Sequence, residues 1–323
     1  MTAVLSGGRE VRPRRRISRR GGKRPKGIRA GGRREALTGY LFIAPALVHF
    51  LVFTAYLLAV SLVISTWVWD VLTPHHFRGL YNYRTLLFHD PVFRTAFKNT
   101  LLYALFTIPT GMALGLLFAL AVNQKLKGIS FFRAAYFLPV VVPTVAVAIV
   151  FRWMYNPQGG LINEFFGLFG IPHHDWLNGS STALPAVAAM AVWQNLGWNM
   201  TFYLVGLQAI PRQLYEVAEL DGAGRWRRFT SVTWPLLTPI TFFILVTSTI
   251  DNLQGAFDQV YLMTQGGPGY ATYTNSFYLY KQAFQYFHYG YAAAYGWVIF
   301  ITIAIATFLQ FKFLAKRINY DFG

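Results

Sequence analysis

Six stretches of this 323-residue chain are dominated by apolar side chains: 39–67, 95–122, 131–151, 182–209, 232–250 and 292–313. Each is close to the about 20 residues that a helix needs to cross the hydrocarbon of a bilayer. Inside hydrocarbon no water is available to the backbone, so a spanning segment has to satisfy its own amides. The expectation is therefore an all-α membrane protein with six transmembrane helices. Composition agrees: 54% of the residues are hydrophobic and 13% charged, against about 25% charged in a soluble domain. Prolines at Pro45, Pro109, Pro139, Pro143, Pro185, Pro235 and Pro239 fall within the runs. They are tolerated in membranes where neighbouring helices or a cavity take up the freed backbone groups. Cysteine is absent, which excludes disulfides, thiolate nucleophiles and Cys-ligated zinc.

The formal net charge of +17 is concentrated at one end. Residues 1–38 hold 13 Lys and Arg against Glu10 and Glu35. Glycine separates the basic pairs and triplets, no core can form, and the segment is expected to be a disordered tail ahead of a six-helix domain at 39–320. Its natural partner is the anionic cytoplasmic face of the lipid bilayer. No nucleic-acid partner is expected, since no aromatic residues sit among the arginines to stack on bases. The tail also fixes orientation. With the N-terminus inside, 23 of the 29 Lys and Arg lie on the inner side. Arg78, Arg84, Arg94, Lys98, Arg152 and Lys281 lie outside, as the positive-inside rule requires. Both termini are then cytoplasmic, and so is the connection between the fourth and fifth spans. Trp67, Trp69, Trp153 and Trp176 fall near the outer boundary, where an aromatic belt belongs.

Catalytic chemistry is sparse. His49 stands alone in an apolar run, and His75-His76 and His173-His174 are adjacent pairs whose side chains point apart. No metal site and no catalytic residues are expected. Asp251 and Asp258 are the acids near the end of the fifth span, fewer than an ion-coupled carrier usually uses. A phosphate-binding Gly-x-x-x-x-Gly-Lys-Ser/Thr loop is absent. The fragment Leu5-Ser6-Gly7-Gly8-Arg9, in a Gly/Arg-rich tail without such a loop, reads as chance. The chain lacks a motor of its own.

The polar connection at 211–231 carries the most specific signal. Its first part presents Leu214, Val217, Ala218 and Leu220 on one helix face; Gly222 and Gly224 then permit a tight turn. Glu216-Val217-Ala218, Asp221-Gly222-Ala223, Phe229 and Pro235-Leu236-Leu237-Thr238-Pro239 resemble the EAA loop of ABC-importer permeases. Val217 departs from the alanine usual there. Phe131-Phe132-Arg133 with Tyr136-Phe137-Leu138-Pro139 is similar to the third span of the sugar-permease branch. Phe257-Asp258 with Leu262-Met263-Thr264-Gln265-Gly266-Gly267-Pro268-Gly269 is similar to the maltose and glycerol-3-phosphate-like group.

The resemblance implies a type I ABC importer permease fold in a bacterial or archaeal inner membrane. It also implies a second homologous permease subunit, two ATPase subunits that carry ATP and Mg, and an extracytoplasmic solute-binding protein. No cofactor is expected on this chain, and no enzymatic activity. Glu216, Ala218, Asp221, Gly222, Ala223 and Arg225 would form the ATPase-coupling helix and turn. Arg225, Arg227 and Arg228 fit ATPase acids and lipid phosphates equally. Sugar recognition needs amides for hydroxyls and an aromatic face. Gln194, Asn195, Trp198, Asn199, Thr249, Asn252 and Gln254 supply both, although amides in a span also serve as bonds between helices. Gly266, Gly267 and Pro268 would shape a binding-protein contact. The substrate reads as a neutral sugar or oligosaccharide, with a polyol phosphate such as glycerol 3-phosphate as the alternative. An ion-coupled secondary carrier is the alternative of another class.

Overall fold

The structure, a computed structural model, describes residues 33–70, 74–124 and 127–314. The expected basic tail up to residue 32, and Lys125, Lys316 and Arg317 of the orientation argument, lie outside the described residues. The chain divides into two compact units, ending at Leu58 and beginning at Ala59. In the first, α1 (Arg33–Phe50) leads through a π-helical stretch, Leu51–Tyr56, to the start of α2 (Leu57–Ser65), whose remainder belongs to the second unit. None of the described side chains from 37 to 58 is buried. A helix that is apolar all round, as this one is, belongs in lipid or inside a larger protein. His49 is exposed there beside Phe53, their rings 5.0 Å apart.

After α2 the second unit continues with a short antiparallel pair, β1 (Trp67–Val68) and β2 (His76–Phe77), with Trp67 opposite Phe77. The remaining elements in order are α3 (Tyr81–Arg84), α4 (Pro91–Val122), α5 (Ile129–Val141), α6 (Thr144–Met154), α7 (Leu161–Gly167), α8 (Ala183–Ala209), α9 (Arg212–Leu220), α10 (Arg225–Arg228), α11 (Trp234–Gln254), α12 (Phe257–Met263), α13 (Asn275–Tyr280) and α14 (Tyr289–Leu314). Asp90 starts α4: its Oδ1 accepts from the amides of Val92 at 2.8 Å and Phe93 at 2.9 Å, and Pro91 occupies the first turn, where no amide is missed. Arg133 closes the other end, its Nη2 donating to the Val122 carbonyl at 2.7 Å, a cation on helix-terminal carbonyls.

The expected count of six spans is refined. Among the described residues, four helical stretches are long and apolar enough to cross a bilayer: Leu37–Ser65, Pro91–Val122, Arg225–Gln254 and Tyr289–Leu314. The third expected span is a bent pair, α5 and α6, meeting at 98°. Pro143 causes the break. It donates no amide and pushes Val142 into an extended conformation, ψ 131°. The fourth, α8, is long enough at 27 residues but not apolar enough, because Gln194, Asn195 and Asn199 interrupt it. It is an enclosed helix, with 17 of its 27 residues buried. Surrounded by α4, α5 and α11, it has no need of a lipid-facing stripe.

Small residues allow that enclosure. A Cβ on Gly115 of α4 would lie 2.6 Å from the Asn199 Cβ of α8. A Cβ on Gly197 of α8 would lie 2.8 Å from the Phe137 Cα of α5. In lipid, where hydrocarbon offers no extra drive to bury Leu, such close backbone approach is a main source of helix association. Two apolar clusters flank the contact. One, toward the start of α8, gathers Phe93, Val187, Met190, Val260, Phe277 and Tyr295. The other, toward its end, gathers Ala119, Met200, Tyr203, Leu237 and Ile244. A Gly115→Leu substitution should therefore overpack the α4–α8 contact and destabilise by about 1–3 kcal/mol. The check is the Tm of the purified protein in detergent, with Gly39→Leu, in open space on α1, leaving Tm unchanged.

Candidate functional site

A cavity of about 180 Å³ opens between α4, α8 and α11. Tyr103, Thr107 and Gly111 face it from α4, Asn195, Trp198 and Asn199 from α8, and Ser248, Asp251 and Asn252 from α11, with Gln259 of α12 beside them. Spacings of three and four residues put each set on one helix face. Four expected pathway residues thus meet: Asn195, Trp198, Asn199 and Asn252. The amides are anchored without being used up. The Asn252 Oδ1 accepts from the Thr107 hydroxyl at 2.7 Å, and its Nδ2 donates to the Ser248 carbonyl at 2.7 Å. The Asn195 Nδ2 donates to the Ala191 carbonyl at 3.0 Å, which leaves its carbonyl oxygen for a ligand. Trp198 is 48% exposed, its edge fixed against Phe202 at 5.0 Å. Asp251 makes no hydrogen bond or ion pair among the described residues, and no Lys or Arg is found in the described lining. A carboxylate in a span without a partner marks a functional position by default.

Three expected pathway residues lie elsewhere. Gln194 is buried and turned toward the α5–α6 break, its Nε2 donating to the Val142 carbonyl at 3.3 Å and the Thr144 hydroxyl at 3.1 Å. Thr249 is buried against α14, donating to the Leu245 carbonyl and accepting from the Gln310 Nε2, both at 2.7 Å. Gln254 is exposed and folds back to the Ile250 carbonyl at 3.3 Å. All three serve the helices themselves, as amides in lipid commonly do. Conversely, Thr107, Ser248, Asp251 and Gln259 were not expected at the cavity. Ser248, Asp251 and Asn252 recur as a polar stripe legible in the sequence. Thr107, a hydroxyl in a largely apolar stretch of α4, carries no such signal.

The polar connection folds into α9 and α10 around a glycine stop. Gly222 has φ +74°, a left-handed conformation open chiefly to glycine. Its amide donates to the Glu219 carbonyl at 3.0 Å, and the Ala223 amide to the Ala218 carbonyl at 2.9 Å, the pairing of a Schellman cap. An Arg228–Glu219 ion pair at 3.1 Å holds α10 to α9. The Tyr215 hydroxyl meets the Thr233 hydroxyl at 3.0 Å, tying α9 to the stretch that leads into α11. Glu216, Asp221 and Arg225 are exposed, and Ala218 and Ala223 half-buried. Leu214, Val217, Leu220 and Trp226 are exposed as well, with Leu220 at 88%. This apolar face is uncovered within the chain, a mark of a protein or membrane contact.

At the far end of α11 the glycine-rich segment is a tied knot. Gly266, φ +85°, is buried against the rings of Tyr273 and Phe277, so it cannot itself offer a contact surface. Gly267 and Pro268 are half-buried, and the Thr272 hydroxyl donates to the Gly267 carbonyl at 2.9 Å. The exposed residues are Gln265, Gly269 and Tyr270. The Asn99 Nδ2 secures the segment to α4 through the carbonyls of Tyr270 at 2.9 Å and Tyr273 at 3.0 Å. Nearby, the Asp90 Oδ2 accepts from the hydroxyls of Tyr278, at 2.6 Å, and Tyr291. Burial, and then the Asp90 carboxylate, push the Tyr278 phenol well above its ordinary value, so it stays a proton donor.

Comparison with known proteins bears on this arrangement. Residues 111–320 match the family described as binding-protein-dependent transport system inner membrane component. The lactose transport system permease protein LacF of Rhizobium radiobacter is 37% identical over 287 residues, covering 87% of this chain and 95% of LacF. The sn-glycerol-3-phosphate transport system permease protein UgpA of Agrobacterium fabrum is 32% identical over 282 residues, covering 87% and 96%. Among solved structures, a bacterial alginate ABC transporter in complex with an alginate pentasaccharide-bound periplasmic protein has a chain of the same fold, with TM-score 0.75 at 23% identity, covering 86% of this chain and 93% of that one.

The position of Gln194 leads to a direct test. Replacing it with Leu leaves the Val142 carbonyl and the Thr144 hydroxyl oxygen without their donor in a part-buried corner, at a cost of about 1 kcal/mol. Gln194→Leu should lower Tm in detergent, whereas Gln254→Leu should not.

Proposed function

The chain belongs to the family of binding-protein-dependent transport system inner membrane components, and on that premise we propose that it is a permease subunit of an ATP-driven importer that carries a neutral sugar or oligosaccharide inward. The observation behind the substrate class is the cavity wall: two free-sided amides, a tryptophan face and an unpaired carboxylate, with no cation in the described lining. Sugar rings offer hydroxyl donors to the Asn195 carbonyl oxygen and to Asp251, and a C–H face to Trp198. A phosphorylated polyol would meet the Asp251 charge and no guanidinium. UgpA, a relative named for glycerol 3-phosphate, keeps that alternative in view, so transport of both substrate classes belongs in the test.

The power stroke enters through α9. The chain has no phosphate-binding loop, so ATP and Mg act on two separate ATPase subunits. The uncovered face of Leu214, Val217 and Leu220 seats in them, and Glu216, Asp221 and Arg225 border it. The cap at Gly222 makes the helix and its turn rigid, so movement of an ATPase passes to α11 through Tyr215, Thr233 and the α10 stretch. A second homologous permease subunit completes the pathway. A solute-binding protein delivers substrate on the outer side, where Gly269 and Tyr270 crown the segment shaped by Gly267 and Pro268. Both termini and α9 lie in the cytoplasm by the charge bias of the loops. The cycle is a two-state equilibrium biased by nucleotide on one side and loaded binding protein on the other.

Two measurements on the assembled importer in proteoliposomes test this. Asp251→Asn should cut sugar uptake about tenfold or more, in keeping with about 1.5–3 kcal/mol for a hydrogen bond to a charged group, and Trp198→Ala should cut it severalfold, in keeping with about 0.5–1.5 kcal/mol for an aromatic face, both without loss of assembly. Unchanged uptake of a sugar alongside inhibition by a polyol phosphate would favour the phosphate reading. Separately, Leu220→Glu and Gly222→Val should abolish stimulation of ATP hydrolysis by loaded binding protein while the permease stays folded. Uptake by this chain alone under an ion gradient, with Asp251 as the coupling acid, would instead establish a secondary carrier.

A further inference from the structure

A second, larger cleft lies away from the cavity. It measures about 820 Å³, at the upper end of the about 300–1,000 Å³ range of small-molecule sites. The wall is almost wholly apolar: Phe106 of α4, Pro185 and Ala189 of α8, Leu161 and Phe165 of α7, and Trp176. The far wall is built, not incidental. Asn163 of α7 is 1% exposed, and its Oδ1 accepts from the Trp176 Nε1 at 2.8 Å and the His174 amide at 3.1 Å. Its Nδ2 donates to the His174 carbonyl at 2.9 Å. This knot holds α7 and Trp176 as one plate beside α8. At the floor the Tyr155 hydroxyl donates to the Ala186 carbonyl at 3.1 Å, so the polar groups there are already satisfied.

We propose that this cleft is a binding site for one acyl chain of a membrane phospholipid. Three observations select that occupant. First, extent: the wall runs from Thr182, at the start of α8, to Ala189, about 10 Å along that helix, and reaches Phe106 in the middle of α4, so the cleft opens on the side of the spans. Second, the mouth: Leu168 is 82% exposed and Phe169 69% exposed, with Leu161 and Phe165 also exposed, in a connection outside the spans. So many large apolar side chains in a short polar-flanked loop belong at the lipid interface, beside a tryptophan of the aromatic belt. Third, position: Ala189 lies about 120° around α8 from Asn195, so the cleft faces away from the cavity that a partner permease would close. An unfilled apolar cleft at this depth forfeits dispersion contacts along its whole wall. A flexible hydrocarbon chain can follow this irregular apolar wall where a side chain from another helix would leave gaps.

The experiment uses the full chain, alone and in the assembled importer, in mild detergent after washes that strip loosely held lipid. Native mass spectrometry and extraction should find one phospholipid retained per chain in both states. Ala189 is exposed to the cleft, so Ala189→Trp fills it at little packing cost and should abolish retention. Leu105→Trp, on an exposed neighbouring position of α4, should not. Equal retention in the two variants, or no retained lipid in the unaltered chain, overturns the proposal. Retention by the isolated chain that disappears in the assembly also overturns it, and makes the cleft a subunit interface. A second measurement needs no cleft-filling variant. In bilayers of lipids brominated along the acyl chain, replacing Trp176 with Phe should remove a strongly quenched component of tryptophan fluorescence. An unchanged quenched fraction counts against the site.

Discussion

A polar group placed in hydrocarbon must find a partner, and much of this structure follows from how α8 meets that demand. Gln194, Asn195 and Asn199 would be intolerable on a lipid-facing helix. They are acceptable because α4, α5 and α11 wrap α8, and that wrapping depends on contacts as close as Gly115 against Asn199 and Gly197 against Phe137. The same enclosure then leaves a small polar space where the wrapping is incomplete. The cavity is the remainder of a packing solution, lined by amides whose other groups are already bonded. Its chemistry and the stability of the bundle therefore share residues.

The polar connection obeys the opposite rule. In water it is apolar side chains that want cover, and α9 leaves Leu214, Val217 and Leu220 bare. A bare face would cost little if the helix were loose, because it could collapse onto its neighbours. It is held away from them by the Gly222 cap, the Arg228–Glu219 pair and the Tyr215–Thr233 contact. Rigidity and exposure together are what a docking element requires, since a surface already in its bound shape loses less entropy on association.

Much of this was legible in the sequence, and the exceptions have physical causes. Apolar run length placed the spans, because the bilayer sets a length that folding cannot alter. It does not distinguish α8, a span enclosed by other helices, from the lipid-facing ones, since burial by helices and burial by lipid leave similar runs. It read 131–151 as continuous, although Pro143 was in view; a proline kinks some spans and breaks others, depending on what neighbours supply. At the site, residue type identified Asn195, Trp198, Asn199 and Asn252 but not which way their neighbours turn. Gln194 is adjacent to Asn195 yet points about 100° away around the helix, to a carbonyl that only a bent α5–α6 pair exposes. Gly266 looked like loop surface, and its burial depends on Tyr273 and Phe277, whose rings only the folded knot brings over it. Local chemistry reads well from sequence, whereas facing direction depends on partners distant in the chain.

The corner between α5 and α6 has a consequence for motion. A straight span transmits a push along its axis. Two half-helices meeting at 98° act more like a crank, turning a sliding movement of one arm into a sweep of the other. The bearing of that crank is the Gln194 side chain of α8, which holds the Val142 carbonyl and the Thr144 hydroxyl on either side of the joint. Rotation of α8 by a single residue position, about 100°, would swing Gln194 out of the joint and bring Asn195 toward it. The corner of the broken span thus rests on the same helix that presents Asn195 and Trp198 to the cavity.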